Sequence, residues 1–119
     1  MEVLAMIDYH IQLANTLSNI LPTHYEMTLH SGLAMPCLSY LELTNFTEIS
    51  GDTLEFSVVS YQITVWADNI ADLQRYSKEV DAAVRPLGFR RTSSQELYDN
   101  QNSRMRKVIS YEATGYETI

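Results

Sequence analysis

Leu4, Ile7, Ile11, Ala14, Leu17 and Leu21 recur at spacings of three and four, so they share one stripe and predict an amphipathic helix. Asp8, Gln12, Asn15 and Asn19 fall outside that stripe, and Pro22 ends the helix because the residue before a proline is pushed out of helical geometry. Thr23 to Leu29 follows as a short extended segment, with Tyr25, Met27 and Leu29 alternating. Ser31-Gly32 breaks it, and Pro36 introduces a second strand over Cys37 to Leu43. Asn45 to Thr53 contains Ser50-Gly51-Asp52, which is turn chemistry, and reads as a loop.

The longest strand predicted runs from Leu54 to Ala67. Phe56 and Val58 are apolar on even positions, whereas Val59, Tyr61, Ile63 and Val65 are apolar on odd ones. A pleated strand changes its apolar face only at an irregularity or where cover ends, so a β-bulge or the end of the covered region is expected near Val59–Ser60. Beyond it Trp66 points away from the main core and needs cover from a helix or a neighbouring subunit. Asp68 or Asn69 caps a second amphipathic helix with the stripe Ile70, Leu73, Ser77, Val80, Val84 and Leu87. That helix ends near Val84–Arg85, ahead of Pro86 and Gly88, and pairs Arg75 with Glu79 at i,i+4. Phe89 to Tyr98 and Met105 to Ala113 form a hairpin around Asp99–Ser103, leaving Thr114 to Ile119 loosely held.

The resulting order, α-β-β-β-α-β-β, predicts one α+β domain over residues 1–119: an antiparallel or mixed sheet of four to five strands packed against two helices. With 45% of its 119 residues hydrophobic, such a chain can bury a core without a metal or disulfide. The single cysteine, Cys37, excludes an internal disulfide. Polar residues interrupt the apolar N-terminal run, which predicts neither a signal peptide nor a transmembrane helix.

Charge changes the picture more than composition does. The net charge of −7 opposes nucleic-acid binding. Residues 1–74 hold nine acids and no Lys or Arg, whereas residues 75–119 hold all eight basic residues against six acids. The split is either an ordinary solvated bias or a pair of complementary faces that meet when identical copies associate head to tail. Arg90, Arg91, Arg104, Arg106 and Lys107 crowd the hairpin and would repel unless acids from elsewhere meet them.

No catalytic pattern accompanies these elements. Cys37 opens an apolar strand, where a buried, inert thiol is expected. No serine sits in a G-x-S-x-G elbow, and the four glycines form neither G-x-G-x-x-G nor a P-loop. His10, His24, His30 and Cys37 match no closed zinc spacing. The expectation is a non-enzyme without cofactor or metal. A hydrolase with a hidden carboxylate pair would instead require a deep pocket with two acids of split pKa.

Ser60-Tyr61-Gln62-Ile63-Thr64-Val65-Trp66-Ala67, Val80-Asp81, Leu87-Gly88-Phe89-Arg90-Arg91-Thr92, Leu97-Tyr98 and the basic strand Arg106-Lys107-Val108-Ile109-Ser110-Tyr111 resemble small tailed-bacteriophage and prophage proteins of the tail-completion or tail-terminator family. Directly, the resemblance covers about half of the chain; through Pro36-Cys37-Leu38-Ser39-Tyr40 it extends more loosely to most of it. It implies a structural virion protein forming a ring, usually a hexamer, at the head-proximal end of the tail, as in siphophages. Its partners would be other copies, the major tail tube protein and the head-completion or connector protein, with assembly in the host bacterial cytoplasm and no membrane involved. DNA would pass through as cargo, for which an acidic bore is suited. The interface residues expected are Trp66, Arg90, Arg91, Arg104, Arg106 and Lys107, with Glu48 and Asp52 on the acidic side. The alternative is a small cytoplasmic regulatory or inhibitory module that binds one host protein.

Overall fold

A computed structural model describes residues 9–25, 34–50, 54–99 and 104–118 of the chain. Its elements, in chain order, are α1 (His10–Ser18), β1 (Thr23–Tyr25), β2 (Cys37–Ser50), β3 (Leu54–Ala67), α2 (Ile70–Val84), a 3-10 turn (Arg85–Leu87), β4 (Arg90–Asp99) and β5 (Arg104–Thr118). The five strands form one sheet in the order β1-β2-β3-β5-β4. β1 lies parallel to β2 and every other pair is antiparallel, so the expected mixed sheet with two helices is what the chain forms.

The core lies on the helix-bearing face of this sheet. Leu38 of β2, Tyr61, Ile63 and Val65 of β3, and Ile109 and Tyr111 of β5 are buried there. Leu13 and Leu17 of α1 and Leu73, Val80 and Val84 of α2 close over them. α2 follows its sequence pattern from Leu73 onward, with Leu73, Ser77, Val80 and Val84 buried, whereas Ile70 in its first turn is 48% exposed rather than part of the buried stripe. Asn69 caps it by accepting the Asp72 amide hydrogen at 2.9 Å, and Ser77 donates to the Leu73 carbonyl at 2.6 Å, which lets a hydroxyl be buried within the stripe. Arg75 and Glu79 lie 3.5 Å apart. The 3-10 turn ends at Gly88, whose φ of 103° is left-handed backbone that L side chains resist.

α1 departs from its expected stripe. Leu13 and Leu17 are buried and Ile11 is 74% exposed, so the helix is turned toward a second arc formed with Tyr9, Ile20 and Leu21. Two residues apart on a helix is about 200°, so Ile11 and Leu13 cannot both face the sheet. Tyr9 meets Phe89 edge-on at 4.9 Å, which holds the arc actually used. Leu4, Ile7, Met27 and Leu29 lie outside the described residues.

Two further expectations are corrected by pairing, and a third, an irregularity or an end of cover near Val59–Ser60, is met. Asn45–Ser50 is strand rather than loop, because it pairs with β3 from Asn45↔Val59 to Ser50↔Leu54. Thr114–Thr118 is not loose, because it pairs with β3 down to Leu54↔Thr118 and carries Gly115 within the strand. The register irregularity beside β3 is on β2, between Glu42 and Thr44, where Leu43 is the extra residue opposite Ser60 and Tyr61, and a second lies on β4 between Arg91 and Ser93. β3 itself runs straight past Val59–Ser60, and among the described residues what ends there is cover: β1 pairs no farther than Tyr40, and β4 no farther than Glu112 on β5.

Past that point β2, β3 and β5 continue as a three-stranded arm. The molecule measures 53 × 23 × 23 Å with a Cα radius of gyration of 16.2 Å. A compact chain of this length would have a radius of roughly 13 Å. Among the described residues no helix lies over the arm, and Leu43 and Phe46 stay about half exposed.

Leu17→Ala, at a fully buried position under α1, is expected to lower unfolding stability by about 2–4 kcal/mol in denaturant titration. Ile11→Ala on the same helix should change it by less than about 0.5 kcal/mol.

Candidate interaction surface

The hairpin cations are sorted by the pleat. Arg106 pairs across to Trp66 and Leu97, and Lys107 pairs to Val65 and Glu96, so neighbours in sequence emerge on opposite faces. One expected basic surface is therefore two.

On the face away from the helices, Trp66, Arg104, Arg106, Leu97 and Tyr98 surround a recess of about 330 Å³. The Trp66 indole N–H donates to the Ser39 hydroxyl at 3.0 Å, and the Arg106 guanidinium lies over the ring at 5.3 Å. Among the described residues Trp66 is thus covered by an arginine instead of a helix. Cys37, beside Trp66 in register, is fully buried; burial pushes its thiol up and Arg104 offsets this in part. Arg90 is at the edge of the sheet, 3.0 Å from Glu112.

On the helix-bearing face, α2 rests on β3 and β5 and leaves β4 uncovered. The step between them is a groove of about 460 Å³. Arg91 and Lys107 line it from the strands; Lys78, Asp81 and Arg85 line it from α2. Asp81 is the hub: its carboxylate accepts the Tyr111 hydroxyl at 2.8 Å and lies 3.4 Å from Arg91 and 3.8 Å from Arg85. Burial, then the Asp81 hydrogen bond and charge, push the Tyr111 phenol far above its ordinary value, with Arg91 and Arg85 opposing. Lys107 pairs with Glu96 at 3.6 Å. Acids do meet the hairpin cations, from α2 and from the strands themselves.

Lys78, Asp81 and Arg85 were absent from the residues expected at an interface. Their spacings of three and four already place them on one side of α2; only the seating of α2 shows that this side faces Arg91. Glu48 falls within β2, although only its backbone is described, and Asp52 lies outside the described residues. A second carboxylate hub forms beside the β2 irregularity. Glu42 accepts from Tyr61 at 3.3 Å and from Asn45 at 3.2 Å, with His10 at 3.8 Å. No three His, Cys, Asp or Glu side chains gather as metal ligands among the described residues, and no helix is long and apolar enough to cross a membrane. What these surfaces offer is charge and hydrogen bonding to a partner.

Tyr111→Phe is expected to cost about 1.5–3 kcal/mol, the worth of a hydrogen bond to a charged acceptor. Because the folded-state pKa of Tyr111 is raised, its stabilisation is complete below the unfolded value of about 10 and falls as pH rises above it. Urea titrations at alkaline pH should show that decline in the wild type and a shallower one in the variant. Arg106→Ala should shift the emission of Trp66, the one tryptophan, to longer wavelength, with no more than about 1 kcal/mol lost.

No family model matches the chain, and no curated protein sequence matches it significantly. Among solved structures, a chain from the virion of a native gene transfer agent particle is similar, with a TM-score of 0.56 at 13% identity over 88% of this chain and 84% of that one. Identity this low makes the likeness one of fold.

Proposed function

We propose that this chain is a structural protein of a phage-like virion, forming a ring, most simply a hexamer, at the head-proximal end of the tail tube. There it ends tube polymerisation and joins the tail to the head connector. The observation that carries the reading is the fold shared with a gene transfer agent virion chain over most of both lengths. Two further features support it. The charge divides along the chain, and the shape offers two dissimilar surfaces, an arm that no helix covers among the described residues and a groove beside α2. Closed rings need such heterologous contacts, in which each copy presents one surface to the copy ahead and a different one to the copy behind.

In this reading the partners are other copies of the chain, the major tail tube protein and the head-completion protein, all met in the host bacterial cytoplasm. DNA crosses the ring as cargo, and acidic residues at the bore keep it from adhering. No catalytic step or cofactor is assigned.

Purified protein mixed with tail tubes should cap one tube end in negative-stain images and give ring masses by native mass spectrometry. A stable monomer that never engages tubes would overturn the reading and favour a small regulatory module bound to one host protein.

A further inference from the structure

Four cations, Lys78, Arg85, Arg91 and Lys107, line the groove between α2 and β4, and Asp81 is the one acid among its lining residues. Arg85 and Arg91 each turn a single terminal nitrogen, Nη1, toward that carboxylate, at 3.8 and 3.4 Å, and Asp81 also accepts from Tyr111. A guanidinium carries its N–H donors in a rigid fork, so most of each fork is left for another acceptor. Lys78 is exposed and meets no acid among the described residues, whereas Lys107 is answered by Glu96. In a chain of net charge −7 the result is a recessed concentration of positive charge, where field lines are focused.

The strand side of the groove sets the shape of what it can take. Within the described sheet β4 has β5 on one side and no strand on the other. The backbone groups of such an edge can pair with an added strand. Arg91 and Ser94 pair across to Tyr111 and Ile109, so both lie on the face that carries α2. An extended segment laid along β4 would turn every second side chain to that same face, toward the groove cations. A nucleic-acid duplex is the poorer fit, because it would bring many phosphates against a chain of net charge −7 for the sake of one recess.

We propose that the α2–β4 groove binds an acidic, extended segment of another protein, added to the edge of β4 with its carboxylates on Lys78, Arg85 and Arg91. Backbone bonding to β4 fixes the direction of the segment, and carboxylates at alternate positions supply specificity. A carboxylate held bidentately by an arginine fork is the strongest contact the groove offers. Glu96 shares the face of Ser94 and repels an acid placed opposite it, so the acids belong nearer Arg91. This goes beyond the ring reading, since it concerns what one subunit captures, whatever the copy number.

The probe is a short fluorescein-labelled peptide of alternating glutamate and threonine, with a lysine–threonine peptide and a DNA duplex as competitors for the same reading. Fluorescence anisotropy should show saturable binding of the glutamate peptide to the full chain. Binding should weaken between about 0.1 M and about 1 M salt, where the screening length shortens from roughly 10 Å to 3 Å. Lys78→Glu/Arg85→Glu, checked for folding by circular dichroism melts, should bind roughly tenfold or more weakly, because the groove then carries like charge. Arg75→Gln, at an exposed cation of α2 that is not among the groove's lining residues, should leave the affinity unchanged. Glu96→Gln should tighten binding, a gain that loss of structure cannot produce. Amide hydrogen exchange along β4 should slow when the glutamate peptide is bound. No saturable binding, equal binding by the Lys78→Glu/Arg85→Glu variant, or tighter binding of the lysine peptide or the duplex would overturn the proposal. So would carbodiimide coupling of Lys78 to an acid of its own chain in dilute protein, since the groove would then be filled from within. None of these outcomes bears on the capping of tail tubes, so the ring reading stands or falls separately.

Discussion

Two buried phenols organise this molecule. Tyr61 and Tyr111 face each other across β3 and β5 in the middle of the core, and both are fully buried. A buried hydroxyl must find a partner, and each of these reaches a carboxylate at the margin of the helical layer, Glu42 for Tyr61 and Asp81 for Tyr111. Phe89, just after the 3-10 turn, meets both rings edge-on at 5.9 and 6.4 Å, and Tyr9 and His10 at the start of α1 join the same aromatic cluster. Two helices distant in sequence are thereby tied to one strand pair. The carboxylates in turn gather polar partners: Arg85 and Arg91 at Asp81, and His10 near Glu42. The basic groove is the outer consequence of satisfying a hydroxyl inside.

The second constraint is unequal length. β2, β3 and β5 have 14, 14 and 15 residues, whereas β1 has 3 and β4 has 10. Among the described residues the helices cover only the stretch where all the strands coexist, so the sheet continues beyond them as an arm. The extra residue Leu43 marks the junction, and bulges are where strands bend and twist. Among the described residues the sheet thus has a body under the helices and a three-stranded extension beyond them, with the basic recess beside α2 on the body.

Much of this was legible beforehand where the physics is local. α2 shows its cap, stripe and terminus in the sequence, because Asn69, Leu73, Val80, Val84, Pro86 and Gly88 each act within a turn or two of the backbone. β3 was legible in both its limits, and the change of apolar parity at Val58–Val59 signalled that cover ends there. The candidate surface was legible only as charge. Arg90, Arg91, Arg104, Arg106 and Lys107 could be named as a basic group. Their division between two faces, however, depends on pairings such as Arg106↔Trp66 and Lys107↔Val65.

By itself, then, the sequence determined the fold class, the order of elements, the body of α2 and the segregation of charge along the chain, since each follows from periodicity or from counting. Tertiary structure alone decided which arc of α1 faces the sheet, that Asn45–Ser50 and Thr114–Thr118 are strand, and that Lys78 and Arg85 join Arg91 around Asp81. The physical reason is common to all three. Turn-rich or ambiguous segments have no strong local preference, so their state is set by partners far away in sequence: β3 for the arm, Phe89 for α1, and the buried Tyr111 for the groove.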